Sequence, residues 1–259
     1  MKNLTKKALV VVACGMLFAA CELFEDTVNP GLTESEIIQG LKEALTIGLD
    51  NSVTSASSVD GYLKNEAIKI LLPEDVQNLK EKIDNSNSVS LLYDTYVASF
   101  NGGTDLFDEL ITTMNRGAEA AASEAGGIFL NAITSMTFDD ARAILNGNET
   151  AATDYFYNAT NQQLFNAFQP EIKTALDGSG ANDVYELAYD FLSYDPTGLG
   201  LTPTPGEALD VTIEPTLDEY ATNRAIDGLF TLIAGEEKKI RDDPFAWGSA
   251  IIEKVFGSQ

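Results

Sequence analysis

The pattern that most restricts the fold is the recurrence of apolar residues three and four positions apart from Thr33 to the C-terminal end. Side chains at these intervals share one face of an α-helix, so the spacing predicts amphipathic helices. The clearest stripes are Ile37, Leu41, Leu45 and Gly48; Phe107, Leu110, Ile111, Met114, Ala118 and Ala121; Ile226, Leu229, Phe230, Ile233 and Ile240; and Phe245, Gly248, Ile251, Ile252, Val255 and Phe256. The sequence therefore predicts an all-α protein.

Capping patterns predict where several helices begin. Thr33 with Glu36, and Thr216 with Glu219, have the spacing of a capping box. Asp243 before Pro244 predicts an N-cap with proline in the first position of the last helix. Further helices are predicted near residues 139–147, 149–177 and 182–193, and residues 67–72 are compatible with a short extended piece before Pro73.

One stretch interrupts the helical pattern. Residues 195–215 contain four of the eight prolines, which predicts a long Pro/Gly-rich irregular loop. Too little chain follows this stretch to build an independent core. We therefore predict a single domain of antiparallel amphipathic helices over residues 33–257.

The N-terminus has the features of a secretory signal. Lys2, Lys6 and Lys7 precede an apolar run over residues 8–20. As a helix this run is about 20 Å long, shorter than the ~30 Å hydrocarbon core of a bilayer. A short apolar run after positive charges is typical of a signal peptide that is removed after export. We expect residues 1–20 to be that signal peptide.

The end of this run resembles the lipobox of bacterial lipoproteins, because Ala19 and Ala20 precede Cys21. The resemblance implies a thioether-linked lipid on Cys21, cleavage before it and acylation of the new N-terminus. Lipidation at Cys14 and an ordinary signal or uncleaved anchor are the alternatives. We expect an exported protein anchored to a bacterial membrane, the outer more than the inner, with residues 21–32 as acylated cysteine and polar tether.

The charge and residue inventory excludes several classes of function. The chain has 16 Lys and Arg against 40 Asp and Glu, no histidine, and no cysteine beyond Cys14 and Cys21. This negative surface repels nucleic acid, so no nucleic-acid partner is expected. Catalytic triads with histidine and His/Cys metal sites are excluded, and we predict no cofactor. The membrane is the expected partner through Cys21, whereas a protein or small-molecule partner stays unidentified.

Short segments spread along residues 33–257 resemble a known family. In order they are GLKEAL (40–45), DGY (60–62), IKI (68–70) with Pro73, MNRGAE (114–119), ILNG (144–147), TAATDY (150–155), DGLF (227–230), IRDDP (240–244) and KVFG (254–257). Together they resemble the bacterial family catalogued as domain of unknown function 4197, which comprises small exported or lipid-anchored proteins. The resemblance implies a single helical exported domain and no particular activity.

Each of the four arginines has a carboxylate three or four positions away. The pairs are Arg116 with Glu119, Asp139 with Arg142, Arg224 with Asp227, and Glu237 with Arg241. They can be surface ion pairs, partly buried clamps between helices, or a site for an anionic ligand. Because small or apolar residues flank Arg116 and Arg224, we expect at least one of these two to be an interhelical clamp.

Clusters of carboxylates and aromatic residues are the remaining candidates. Carboxylates alone can hold Ca²⁺ or hydrolyse glycosides, but Asp105, Asp108 and Glu109, like Asp139 and Asp140, fall where helices are predicted to begin. The aromatic residues of two predicted helices suit core packing or a ligand pocket; they are Tyr155, Phe156, Tyr157, Phe165, Phe168, Tyr185, Tyr189 and Phe191.

The predicted function is a lipid-anchored binding or scaffolding module of the cell envelope. A carboxylate-dependent hydrolase of cell-envelope glycans is the alternative, so enzymatic activity stays open, with a non-enzymatic role favoured.

Overall fold

Helices follow one another along most of the chain in the computed structural model, which describes residues 32–178, 181–211 and 217–257. They are α1 (Glu34–Ser57), α2 (Glu74–Asp84), α3 (Asn87–Phe100), α4 (Leu106–Ala122), α5 (Ala125–Ser135), α6 (Phe138–Leu145), α7 (Ala151–Gly178), α8 (Ala181–Phe191), α9 (Pro205–Leu209), α10 (Asp218–Asp242), a 3-10 helix (Pro244–Trp247) and α11 (Ala250–Phe256). No strand occurs in the described residues, which confirms the all-α prediction.

The long helix α7 lies at the centre and packs against α4, α10, α5, α8 and α6. Its direction is opposite to that of α10: Thr153 near the start of α7 bonds Glu237 near the end of α10, whereas Gln169 lies 3.4 Å from Asp218 at the start of α10. Helix α1 packs on the other side of α10 and also contacts α11, α5 and α4.

One continuous core joins these helices. Its buried apolar side chains run along the chain from Ile37 to Phe256. At its centre the Phe129 ring lies 5.8 Å from Phe156 and 6.0 Å from Phe230, so α5, α7 and α10 meet there. Because Ile37 is the first residue of the described core, a chain that begins at Cys21 keeps every described core residue.

The predicted start of α1 is confirmed, since Thr33 and Glu36 form a reciprocal capping box. Capping boxes that the sequence analysis did not identify begin α6 and α9. Helix α10 begins at Asp218 after Leu217, and its predicted cap, Thr216, lies outside the described residues.

The prediction of one continuous last helix is wrong. Pro244–Trp247 is a 3-10 helix, which ends because Gly248 adopts a left-handed conformation with φ of +63°. A new helix, α11, then begins at Ala250, and the hydroxyl of its N-cap, Ser249, accepts a hydrogen bond from the Ile252 amide. Phe245 consequently leaves the predicted apolar stripe and is 63% exposed.

Residues 195–211 are also more ordered than predicted. Five of them form α9, whose first turn is capped by Thr204 and Glu207, and residues 212–216 lie outside the described part. Residues 67–72 pair with no strand there; a side chain of α4 bonds their backbone instead. No helix among the described residues is long and apolar enough to cross a membrane.

Candidate functional site

An open apolar groove separates α3 from residues 196–208. Its volume is about 510 Å³. It is lined by Ser88, Val89, Leu91, Leu92 and Thr95 on one side and by Pro196, Thr202, Pro203, Pro205 and Ala208 on the other. Leu91 is 69% exposed, so this side chain is available to a partner.

Aromatic packing and backbone hydrogen bonds position the two walls of the groove. The Tyr96 ring of α3 lies 5.4 Å from Phe191 and 5.0 Å from Tyr194, so α3 is fixed to the end of α8. The Gly206 amide donates to the Leu192 carbonyl at 2.9 Å, and a Cβ at Gly206 would approach that carbonyl oxygen to the same distance. This close approach requires glycine and connects α9 to the residue that follows α8.

The turn that leads into the groove is held by one carboxylate. Asp195 accepts hydrogen bonds from the hydroxyl and amide of Thr197 and from the Gly200 amide, at 2.6, 2.8 and 2.7 Å. These bonds, with the Thr197 hydroxyl as the largest contributor, lower the pKa of Asp195 to about 2. The ordered turn carries two leucines, Leu199 and Leu201, which are 70% and 75% exposed.

The elements around the groove come from parts of the chain that have no cationic residue. Residues 83–115 contain five acids, residues 174–223 contain ten, and neither range contains Lys or Arg. The first range holds all of α3 and the second holds α8, α9 and the turn at Asp195. The acids that neighbour the lining residues in the chain or lie in the turn and helix beside them are Asp94, Asp195, Glu207 and Asp210, so an apolar groove has acidic residues around it.

Arg116 and Glu119 join α4 to the loop that follows α1. The Arg116 guanidinium lies 2.6 Å from Glu119 and 2.7 Å from Asp60, and Glu119 also accepts from the Tyr62 and Leu63 amides at 3.2 Å. Lys64 and then Arg116 lower the pKa of Asp60. Arg116 therefore connects a helix to a loop rather than two helices, and its side chain is 41% exposed.

Neighbouring polar groups fix the same loop. The Asn115 side-chain amide donates to the Ile70 carbonyl and accepts from the Ile70 amide, both at 2.8 Å, as a paired strand would. Tyr62 donates its hydroxyl to the Ala225 carbonyl at 2.6 Å, and burial raises its pKa. The loop from residue 60 to 70 is thereby joined to α4 and α10.

Glu237 and Arg241 of α10 form a buried connection among three helices. Glu237 accepts from the Ala152 and Thr153 amides in the first turn of α7, at 3.0 and 2.8 Å, and from the Thr153 hydroxyl at 2.8 Å. Arg241 donates to Glu237 and to the Ile144 carbonyl of α6, both at 2.8 Å. Glu237 thus caps a helix from outside, because those amides have no partner within α7.

The pair of Arg224 and Asp227 does not join helices in this way. Arg224 and Asp227 lie 3.2 Å apart and are about half exposed, so Arg224 forms a surface ion pair within α10. They lie on the side of α10 away from its apolar stripe. Asp139 is exposed and Arg142 is half-buried, one turn apart on α6. The guanidinium groups of Arg116, Arg224 and Arg241 all face carboxylates, which occupy the positions an anionic ligand would take.

The carboxylate clusters act at helix ends. Asp105 accepts from the Phe107 and Asp108 amides and caps α4, and Asp140 completes the capping box of α6 with Thr137. The carboxyl groups with a clear shift have lowered pKa values, through hydrogen bonds; they are Glu36, Asp60, Asp140, Asp177 and Asp195. No group of three acids within the described residues is arranged to hold a metal ion.

The aromatic candidates divide between the core and the surface. Phe156, Phe168, Tyr185 and Phe191 are buried in the core, whereas Tyr157 and Tyr189 are 43% and 41% exposed. Tyr155 and Phe165 are half-buried against the core.

Sequence reasoning missed the groove, Asp60 and Asn115. Glu237 was considered only as an ion-pair member, although it falls four positions after Ile233 on the apolar stripe of α10. A charged residue at a core position signals a buried polar connection, so the sequence did contain a signal for it.

Cys21, the predicted lipidation site, lies outside the described residues. No curated protein and no solved structure matches the chain. A family model matches residues 31–257, which include every described helix. The chain belongs to the family described as "Protein of unknown function (DUF4197)".

Proposed function

We propose that the protein is exported, anchored to a bacterial membrane through lipid on Cys21, and acts as a binding module through the groove between α3 and residues 196–208. The groove is the observation that carries this proposal. Its walls are ordered, and large apolar side chains stand exposed beside it: Leu91, Leu199 and Leu201. Exposed apolar patches of this kind mark interaction sites on soluble domains.

The turn beside the groove is already ordered before a partner binds, which favours binding. Asp195 holds the turn with Leu199 and Leu201 through three hydrogen bonds, so little loop entropy remains to be lost when a partner docks. Rigid apolar side chains presented in advance give more affinity than the same side chains on a disordered loop.

The N-terminal sequence supports the anchor. The lysines and apolar run before Cys21 have the arrangement of a lipoprotein signal, and two or three acyl chains hold a protein stably on a membrane. Residues 22–32 would then reach at most ~36 Å, which keeps the groove close to that membrane.

The alternative, a carboxylate-dependent hydrolase, has no supporting site in the described residues. Glycoside hydrolysis needs two carboxyl groups facing one substrate, one of them with a raised pKa. Asp105 and Asp140 instead bond the first turns of their own helices.

Replacement of Cys21 tests the anchor. Cys21→Ser should leave an unacylated protein that still carries residues 1–20, because processing at a lipobox requires the lipidated cysteine. Mass spectrometry of the wild-type N-terminus should find an acylated Cys21, and Cys14→Ser should behave as wild type. An unlipidated terminus, or one that begins elsewhere, would refute the anchor.

Photo-crosslinking in the producing cell tests the groove. A benzophenone amino acid at Leu91 should yield one discrete adduct, which is identified by mass spectrometry and disappears when Leu201→Asn is added. The control is the same probe at Leu130, which is 53% exposed on α5. No adduct at Leu91, or the same adduct from Leu130, would reject the groove as the binding site.

A further inference from the structure

We infer that the groove receives a protein segment whose apolar side chains are flanked by lysine or arginine. This inference rests on the binding function proposed above and specifies the chemistry of its partner. Two observations lead to it: the residues that line the groove are apolar, and the charged residues beside them are acidic.

The charged residues next to the groove are mostly acidic. Asp94 is exposed on α3 beside the lining residue Thr95, and Glu207 is exposed on α9 beside Ala208. Asp195 lies in the turn that leads into the groove, and Asp210 is exposed at the end of α9. A partner with positive flanks is therefore attracted, and one with negative flanks is repelled.

The two lysines of the adjacent helix α2 do not reverse this charge. Lys80 lies 2.9 Å from Asp84, which neutralises it. Lys82 donates to the Leu209 and Asp210 carbonyls at 2.8 and 3.0 Å, at the C-terminal end of α9. Lys82 keeps its positive charge there, but it is one cation beside Asp94, Asp195, Glu207 and Asp210.

Other occupants fit this surface less well. A second copy of the chain would bring the same acids to the interface, since the formal charge of each chain is −24. Nucleic acid and anionic lipid headgroups are repelled for the same reason. The lining offers only the hydroxyls of Ser88, Thr95 and Thr202 as side-chain polar groups, so the occupant must bring apolar side chains of its own.

A peptide-binding experiment tests the inference. The protein is the chain from residue 21 with Cys21→Ser, which retains every described core residue. The probes are a short fluorescent amphipathic peptide of leucine and lysine and the same peptide with glutamate in place of lysine. Binding is measured by fluorescence anisotropy at low and at physiological salt.

Two variants and two controls separate apolar from electrostatic contributions. Leu91→Asn removes an exposed apolar contact, with Leu130→Asn as its control. Asp94→Asn combined with Glu207→Gln removes two charges at the groove and leaves the capping box, because glutamine serves there as well as glutamate. Asp50→Asn combined with Glu66→Gln removes two exposed charges in and just after α1.

The Leu/Lys peptide should bind more tightly than the Leu/Glu peptide. Leu91→Asn should weaken its binding about fivefold or more, and the Asp94 and Glu207 double variant should weaken it about threefold at low salt and less at physiological salt. Both controls should stay close to wild type.

Two results overturn the inference. If both peptides bind equally and both respond to Leu91→Asn, the positive flanks are wrong but the groove remains a binding site. If the Leu/Lys peptide does not bind, or responds equally to Leu91→Asn and Leu130→Asn, the inference also fails, and crosslinking at Leu91 separately decides the proposed function.

Discussion

Replacing Glu237 with alanine should destabilise the protein more than replacing its ion-pair partner Arg241. Glu237 is almost fully buried and accepts from two amides of α7, which would be left without partners inside the protein. Each unsatisfied amide costs about 1–3 kcal/mol. Arg241, only 17% exposed, would also lose its carboxylate, and breaking a buried pair costs ~3–5 kcal/mol. These contributions overlap, so we expect a loss of about 4 kcal/mol.

Loss of Arg241 should cost less, about 2 kcal/mol, because the remaining carboxylate is not left unpaired. Glu237 would keep both amides and the Thr153 hydroxyl as donors, and it lies at the positive end of the α7 dipole. The structure therefore predicts an asymmetry between two residues of one ion pair.

Urea unfolding of the chain from residue 21, with Cys21→Ser and followed by circular dichroism, measures both losses. Asp227→Ala is the control, since its exposed pair with Arg224 on the same helix should be worth under ~1 kcal/mol. A loss below ~1 kcal/mol for Glu237→Ala would refute the capping role. Arg241→Ala destabilising as much as Glu237→Ala would refute the asymmetry.

Three further predictions concern other parts of the fold. Gly228→Ala should destabilise the protein by about 1–3 kcal/mol in the same urea assay, because the added Cβ would lie 2.8 Å from the buried ring of Tyr62. The control is Gly235→Ala on the same helix, whose Cβ would meet no atom within 4 Å and which should stabilise the protein by about 0.5–1 kcal/mol. Asp195→Asn should speed hydrogen exchange at the amides of its turn, and unchanged exchange would refute its role. Hydrogen bonds from Lys254 and then from the Thr33 amide and hydroxyl lower the pKa of Glu36 from 4.5 to about 2. Their stabilisation is therefore present above pH 4.5 and lost as the pH falls towards 2. Urea unfolding at several pH values in that range should show a smaller pH dependence of stability for Glu36→Gln than for wild type.

The arginine pairs show how far sequence reasoning reached. All four have a carboxylate three or four positions away, yet Arg241 is only 17% exposed among three helices whereas Arg224 is half exposed. The apolar stripe of α10 distinguishes them, because Glu237 falls on the stripe and Asp227 falls off it. Flanking small residues, which favoured Arg224, are a weaker signal, because such residues occur on any face of an alanine-rich helix.

The groove could not be predicted from the sequence. Its walls come from residues 88–95 and 196–208, more than a hundred positions apart, and they meet only because the aromatic rings of α3 and the end of α8 pack together. The prolines and glycines of residues 195–215 predicted a loop. They did not reveal that Asp195 would order its first turn or that Thr204 would begin a helix.

By itself the sequence determined the helical class, most helix positions and the acidic charge, because periodicity, caps and composition act over a few turns of chain. Only the tertiary structure decided which polar groups are buried and where the surface is open. Glu237 caps α7 across 84 positions, and Asn115 bonds Ile70 across 45. Such contacts depend on which helix faces meet in the core, and a residue's own neighbours in the chain do not specify that.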